Sequence, residues 1–266
     1  ANHVIIMVFR IKNSRRKVQK LKSCPVLMYR LQLILYSTSC KGRMIIMQNT
    51  VRENLLQIQE DIAPYKPNII AVTKYFDESA MVEAFNAGLR DFAEARAIEA
   101  VEKIGNLPAE VRNNSKFHFI GHLQTNKVKK VVPVFDYIHS VDSLKLAKAI
   151  SDEARAIGKV QKVLLQVNNA NEEQKFGFSK DEVFEMFLSI KNLPSIEIVG
   201  LMNMAPLGAS EEELNMLFKD VSEIKKELEQ KFSCELKELS MGMSQDYKIA
   251  VKYGATMLRI GRKLFR

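Results

Sequence analysis

Eight short apolar segments alternate with amphipathic stretches from Met47 onward, and this alternation limits the possible folds more than any other feature of the sequence. The apolar segments have the length of buried strands, and the stretches between them have the periodicity of helices that bury one face. Strands that alternate with helices form parallel β–α–β units, and eight such units are the number that closes a barrel. The sequence therefore predicts an α/β fold, a single (β/α)8 TIM barrel.

Each predicted strand is bounded by polar or turn residues. The eight are Ile69–Lys74, Asp91–Ala95, Lys116–Gly121, Tyr137–Asp142, Lys162–Asn168, Glu197–Met204, Glu238–Gly242 and Met257–Gly261. An additional helix is predicted over Thr50–Ile62, and we expect it to occupy the place of an eighth helix, because few residues follow the last strand. An open, doubly wound sheet is the alternative, but no GxGxxG motif favours it.

The positive charge of the chain is concentrated in residues 1–46. This segment contains ten Lys and Arg residues and no acidic residue, so the rest of the chain is close to neutral although the whole chain carries +9. A near-neutral body argues against a nucleic-acid-binding protein. We predict that residues 1–46 are a basic leader outside the fold and that residues 47–266 form the barrel. A transit peptide, sequence upstream of a start at Met44 or Met47, and an RNA- or membrane-binding tail all stay open for the leader.

Other patterns exclude several classes of protein. The cysteines show no CxxC or metal-type spacing, which fits a reducing compartment, and we expect a cytoplasmic protein. No uninterrupted run of about 18 apolar residues exists, so no membrane span is predicted. His118 and His122 are four residues apart but straddle a strand end, and no HExxH motif is present. We therefore predict no metal site.

Three segments at strand ends carry the chemistry that the sequence predicts. The first strand ends at Lys74, the seventh runs into the hydroxyl-rich turn Ser240–Ser244, and the eighth ends at Arg259–Arg262. Active sites of such barrels lie at the C-terminal ends of the strands, and phosphate often binds after strands seven and eight. Because closure places the eighth strand beside the first, a phosphate bound there would lie near the Lys74 amine. This arrangement is typical of a site for a phosphorylated aldehyde held as a lysine imine.

The same segments belong to a wider set of motifs. The most specific one is the decapeptide His118–Lys127 (HFIGHLQTNK), and AVTK at 71–74, SMGMS at 240–244 and RIG at 259–261 accompany it. With these motifs the chain, from about Val51 to Phe265, resembles the pyridoxal phosphate homeostasis proteins. These are single-barrel relatives of the alanine racemase N-terminal domain.

The resemblance implies a cofactor, a set of binding residues and a role. Lys74 would hold pyridoxal 5′-phosphate (PLP) as an imine, with Arg259 at the pyridine nitrogen. Ser240, Gly261 and the backbone of Arg262 would hold the phosphate. The remaining pocket-lining residues that the resemblance implies are His118 and Met202. The protein would act in intracellular PLP homeostasis and supply the cofactor to PLP-requiring apoenzymes, as a monomer or weak dimer.

Two positions depart from the family pattern. Family members usually have Asn where Ala95 stands, so an amide near the cofactor is missing, and they usually have Thr or Ser where Arg262 stands. Affinity or ring orientation could therefore differ from those of the family.

A PLP-dependent amino-acid racemase is the alternative function, and a lysine-imine aldolase is a further one. A racemase needs a base on each face of the substrate Cα. Relatives that racemise place the second base on an added β domain, for which this sequence leaves no room. We therefore expect a carrier of PLP rather than an enzyme. A third hypothesis assigns an RNA- or membrane-binding role to the basic leader.

Overall fold

The strands of the computed structural model close into a barrel in which all neighbours are parallel and follow chain order. The structure describes residues 50–170 and 176–266, so the predicted leader lies outside the described residues. The strands are β1 (Asn68–Val72), β2 (Asp91–Glu94), β3 (Lys116–Phe119), β4 (Tyr137–Val141), β5 (Gln161–Val167), β6 (Ile196–Asn203), β7 (Glu238–Met243) and β8 (Met257–Ile260). The predicted (β/α)8 barrel is confirmed.

Helices follow the strands and cover the outside of the barrel. Their bounds are Val51–Asp61, Glu78–Asn86, Ala97–Asn106, Ala109–Asn113, Val128–Val131, Leu144–Ala156, Lys180–Lys191, Glu211–Phe232, Tyr247–Ala250 and Arg262–Phe265, with 3₁₀ turns at Thr125–Lys127 and Val251–Tyr253. Reciprocal capping boxes begin three of them, after Thr50, Ser179 and Ser210. None of the helices in the described part of the chain combines the length and apolarity that a membrane span requires.

The helix ahead of β1 packs against the helix that ends the chain. The side-chain amide of Asn54 is buried and donates to the carbonyl of Leu264 over 3.0 Å. The predicted extra helix thus lies beside the short terminal helix Arg262–Phe265, in the region where an eighth helix would cover the barrel.

Alternation along the strands separates two apolar cores. One lies between the barrel and the helices and includes Phe92 and Phe119. The other fills the barrel lumen with Ile70, Ala93, Tyr137, Leu164, Val199, Met202 and Met257. Since successive side chains of a strand point to opposite faces, the lumen receives every second residue. The polar residues that share this alternation therefore meet inside the barrel.

Candidate functional site

Lys74 lies at the C-terminal mouth of the barrel, in the turn that follows β1. The lumen-facing row of this strand runs through Ile70 and Val72, and Lys74 is the next position of that row. The residue is half-buried, and its Nζ lies 5.1 Å from the centroid of the Tyr75 ring. The predicted amine is therefore present at the end of the first strand.

A buried ion pair fixes the turn that carries this lysine. Lys103 Nζ donates to Glu94 Oε1 over 2.6 Å, to the carbonyl of Thr73 over 2.8 Å and to the carbonyl of Phe76 over 2.7 Å. The Thr73 hydroxyl donates to the same Glu94 oxygen over 2.7 Å. The two carbonyls flank Lys74 in the chain, so the ammonium group of Lys103 holds both sides of the turn. We call Lys103 and Glu94 the clamp, and no sequence motif indicates it.

Two backbone N–H groups converge on one hydroxyl at the end of β8. Gly261 N and Lys263 N each lie 3.3 Å from Ser244 Oγ. Successive N–H groups that point at one oxygen form the kind of concavity that binds phosphate. Ser244 lies within the predicted hydroxyl-rich turn but is not among the predicted site residues. We call Gly261, Lys263 and Ser244 the amide cradle.

The amide cradle adjoins the end of β1. The register of β1 and β8 pairs Ala71 with Ile260, which places Val72 beside Gly261. A Cβ atom on Gly261 would lie 3.3 Å from the carbonyl oxygen of Val72, closer than most Cβ contacts. A glycine here therefore allows the cradle to approach the strand that leads into Lys74.

A chain of hydrogen bonds crosses the lumen beneath this mouth. Asp91 Oδ1 lies 2.9 Å from His118 Nε2, and His118 Nδ1 lies 2.9 Å from His139 Nε2. His139 Nδ1 lies 3.0 Å from Ser240 Oγ, which accepts a hydrogen bond from Arg259 Nη1 over 2.6 Å. All but Asp91 are essentially inaccessible to solvent. We call these five residues the lumen chain.

Burial and neighbouring charges alter the acidity of groups in the lumen chain. Burial lowers the pKa of Arg259 to about 10, although the nearby Asp246 carboxylate opposes this shift. The guanidinium group therefore stays protonated at neutral pH, and it also donates to the carbonyl of Asn203 over 2.7 Å. Burial, helped by the positive charge of Arg259, lowers the pKa of His139 well below its ordinary value. His139 is neutral at physiological pH.

The sequence-predicted site residues fall into two groups. At the mouth lie Lys74, Gly261 and Arg262, whose side chain is exposed at the start of the terminal helix. In the lumen lie His118, Met202, Ser240 and Arg259. The Ser240 hydroxyl is engaged with Arg259 and His139, so its contact with a phosphate stays a prediction. Ala95 is half-buried just after β2, next to Glu94 of the clamp. Within residues 50–170 and 176–266, no group of three or more His, Cys, Asp or Glu side chains is arranged to hold a metal ion.

Comparison with protein families matches residues 46–266 to the alanine racemase N-terminal domain. A pyridoxal phosphate homeostasis protein of Synechocystis is 40% identical over 208 residues, which cover 77% of this chain and 94% of that protein. A pyridoxal phosphate homeostasis protein of Escherichia coli K12 is 32% identical over 232 residues, which cover 82% of this chain and 96% of that protein.

Solved structures show the same architecture. PipY of Synechococcus elongatus, solved with PLP bound, is 36% identical and superposes with a TM-score of 0.74 over 81% of this chain and 100% of its own. An alanine racemase of Clostridium difficile is 15% identical, with a TM-score of 0.67 over 81% of this chain and 56% of that enzyme. The second likeness concerns the fold alone.

Proposed function

Because the chain belongs to the family of pyridoxal phosphate homeostasis proteins, we propose that its barrel binds PLP at the mouth and acts in PLP homeostasis. Two relatives of that name are 40% and 32% identical to this chain, and the match covers 94% and 96% of their own length. PipY, at 36% identity, was solved with this cofactor.

The groups at the mouth fit the parts of the cofactor. PLP presents a phosphate and an aldehyde on one rigid ring, so it needs an anion site and an amine on neighbouring elements. The amide cradle offers two N–H groups and a hydroxyl, and Lys74 offers the amine. The observation that carries the proposal is the close approach of the amide cradle to β1, where Gly261 lies beside Val72.

Different side chains at the mouth would bind different parts of PLP. When bound, PLP supplies an aldehyde that an amine can hold covalently and reversibly, and we assign that amine to Lys74. The amide cradle orients the phosphate, and the clamp of Lys103 and Glu94 keeps the turn of Lys74 in place. Arg259 stays charged at neutral pH, so a pyridine nitrogen held beside it would not be protonated. An unprotonated ring is a weak electron sink, which suits storage better than catalysis.

We propose further that the protein holds PLP in the cytoplasm and supplies it to PLP-requiring apoenzymes, as a monomer or weak dimer. The half-buried position of Lys74 and the exposed Tyr75 beside it support release from the mouth, since no described element covers this turn completely. The recipient enzymes would act at this open face.

A spectroscopic and chemical experiment tests the assignment of Lys74. The purified protein mixed with PLP should turn yellow, and borohydride reduction followed by peptide mass mapping should find the label on Lys74. Lys74→Ala should stay colourless and unfold at the same denaturant concentration as the wild type. Lys129→Ala, which removes an exposed lysine from the helix after β3, is the matched control and should stay yellow. A label on another lysine, or a colourless wild type, would contradict the proposal.

A further inference from the structure

The lumen chain extends beyond what the binding of PLP at the mouth requires. Its members occupy lumen-facing positions of five strands: Asp91 of β2, His118 of β3, His139 of β4, Ser240 of β7 and Arg259 of β8. Every link between neighbours is within hydrogen-bond distance. Each member of this chain carries a desolvation cost in the largely apolar lumen, and its hydrogen bonds to the neighbouring members offset that cost.

The two ends of the chain carry opposite charge. At one end, burial would raise the pKa of Asp91, but hydrogen bonds from His118 and Asn68, with the charge of nearby Lys116, hold it below its ordinary value. Asp91 is therefore a carboxylate and can only accept. At the other end, the guanidinium group of Arg259 can only donate.

These ends fix the direction of every hydrogen bond when both histidines are neutral. Asp91 accepts from His118 Nε2–H, so His118 Nδ1 is an acceptor for His139 Nε2–H. His139 Nδ1 is then an acceptor and takes the hydroxyl hydrogen of Ser240. Ser240 Oγ in turn accepts from Arg259. All donors thus point from Arg259 toward Asp91, and aligned bonds of this kind strengthen one another.

Neighbouring groups hold the chain in this arrangement. The ring of Tyr137 stacks on His118 with centroids 4.6 Å apart and an interplanar angle of 5°, and the Nζ atom of the exposed Lys162 lies 5.4 Å from the Tyr137 centroid. At the opposite end Asp246 is the charged neighbour of Arg259. The stacked Tyr137 ring therefore restricts rotation of the His118 ring.

Asp91 also borders the surface at the end of the barrel opposite the mouth. It lines a cavity of about 520 Å³, together with Arg52, Asn68 and Arg90, where β1 and β2 begin. Its side chain retains 13% of its accessible surface, whereas the His118 side chain has none. The lumen chain thus joins a solvent-facing carboxylate on one face of the barrel to the cation near the mouth on the other.

We propose that Asp91, His118, His139 and Ser240 form one oriented hydrogen-bond relay that positions Arg259 and transmits the charge of Asp91 to the PLP site. In this proposal the four are positioning residues, which act on the cofactor through Arg259, in place of the direct contacts of His118 and Ser240 that the family resemblance implies. This inference rests on the proposed binding of PLP at the mouth. It adds that the site is tuned from the far end of the barrel, by a residue that does not touch the cofactor.

The first test measures the histidine tautomers in the protein without PLP. Long-range ¹H–¹⁵N spectra distinguish Nε2–H from Nδ1–H rings. The relay requires that His118 and His139 both be neutral Nε2–H tautomers at neutral pH. A protonated ring, or an Nδ1–H tautomer at either position, would overturn the proposed direction of the chain. Because PLP is absent, the result is independent of the proposed function.

The second test removes the charge of Asp91. Asp91→Asn preserves shape but can either accept from or donate to His118, so Nδ1–H signals should appear in the two rings. In the holoprotein this variant should shift the absorption maximum of bound PLP and weaken its affinity about two- to threefold, since aligned bonds lose roughly 10–30% of their strength per link. Glu197→Gln is the matched control, because it neutralises an exposed carboxylate at the start of β6, at the same end of the barrel. It should change neither quantity.

Two further variants address the link to Arg259. Ser240→Ala removes the acceptor of Arg259 Nη1 and should weaken PLP binding about tenfold, because it leaves a buried charged donor unpaired. Ser240→Thr keeps the hydroxyl and should restore most of the affinity. Should Ser240→Ala fail to fold, the tautomer spectra and Asp91→Asn still decide the question. An Asp91→Asn protein identical to Glu197→Gln in both readouts would overturn the relay. A wild type that does not bind PLP would contradict the proposed function instead.

Discussion

Replacement of Lys103 by methionine should destabilise the barrel strongly, because it breaks a buried ion pair by removing one partner. Methionine fills similar space but donates no hydrogen bond. Glu94, only 3% exposed, would be left with the Thr73 hydroxyl as the one remaining donor among the contacts described. The carbonyl of Phe76 would lose its ammonium partner. Loss of one member of a buried pair costs about 3–5 kcal/mol.

The charge on Glu94 is the reason for that cost, and a second substitution isolates it. In Glu94→Gln/Lys103→Met the buried charge is gone, and the loss should shrink to about 1–2 kcal/mol, the cost of the neutral hydrogen bonds. The double variant should therefore be more stable than Lys103→Met alone, even though it carries one more substitution.

Urea unfolding followed by circular dichroism measures these differences. With a slope of about 2–3 kcal/mol per molar urea, Lys103→Met should lower the midpoint by about 1–2.5 M. Lys129→Met is the matched control, since Lys129 is exposed, and it should stay within about 0.5 kcal/mol of the wild type. A double variant less stable than Lys103→Met, or a single variant no less stable than the control, would refute the reasoning.

Three further outcomes are expected. Gly261→Ala should weaken PLP binding about tenfold in an absorbance titration, because the new methyl group lies 3.3 Å from the Val72 carbonyl oxygen, beside the amide cradle; unchanged affinity would argue against the cradle. Burial opposes ionisation of Asp61, but hydrogen bonds from Tyr247 and Lys248 outweigh it and lower its pKa to about 2. Its contribution to stability is therefore present above about pH 4 and is lost toward pH 2, so the wild type should lose more stability than Asp61→Asn on acidification; equal losses would contradict this. The holoprotein in deuterated water should not exchange the Cα hydrogen of single amino-acid enantiomers at enzymatic rates, whereas rapid exchange would favour a racemase.

The sequence was sufficient for the barrel because its periodicity is local. Each strand is a short apolar run, and predicted bounds such as Tyr137–Asp142 differ from the observed Tyr137–Val141 by a single residue. The pairing of β1 with β8 then follows from closure of the barrel. For this reason the position of Lys74 beside the end of β8 could also be predicted.

The contacts within the site could not be predicted, since they depend on register and on side-chain reach. Lys103 meets Thr73 across 30 residues of sequence, and nothing in the helix that carries it distinguishes it from a solvated lysine. Ser244 and Ser240 are the two ends of one motif, and the sequence does not distinguish their roles. Only the turn into the terminal helix brings the Ser244 hydroxyl near the N–H groups of Gly261 and Lys263.

The members of the lumen chain could have been grouped from the sequence, because each occupies an inward-facing position of its strand. The family resemblance indicates His118 as a pocket residue, and no sequence motif points to His139. Both share the lumen-facing alternation with Asp91 and Arg259, so a strand-by-strand count of inward polar positions would have grouped them. The tautomers and the direction of the chain nevertheless require the distances between the rings.

A crystal structure of the protein grown with PLP tests the central claim most directly. We expect the phosphate within hydrogen-bond distance of Gly261 N and Lys263 N, and continuous density between the cofactor and Lys74 Nζ. Phosphate bound away from the end of β8, or a Lys74 amine turned outward with no density joined to it, would contradict the account.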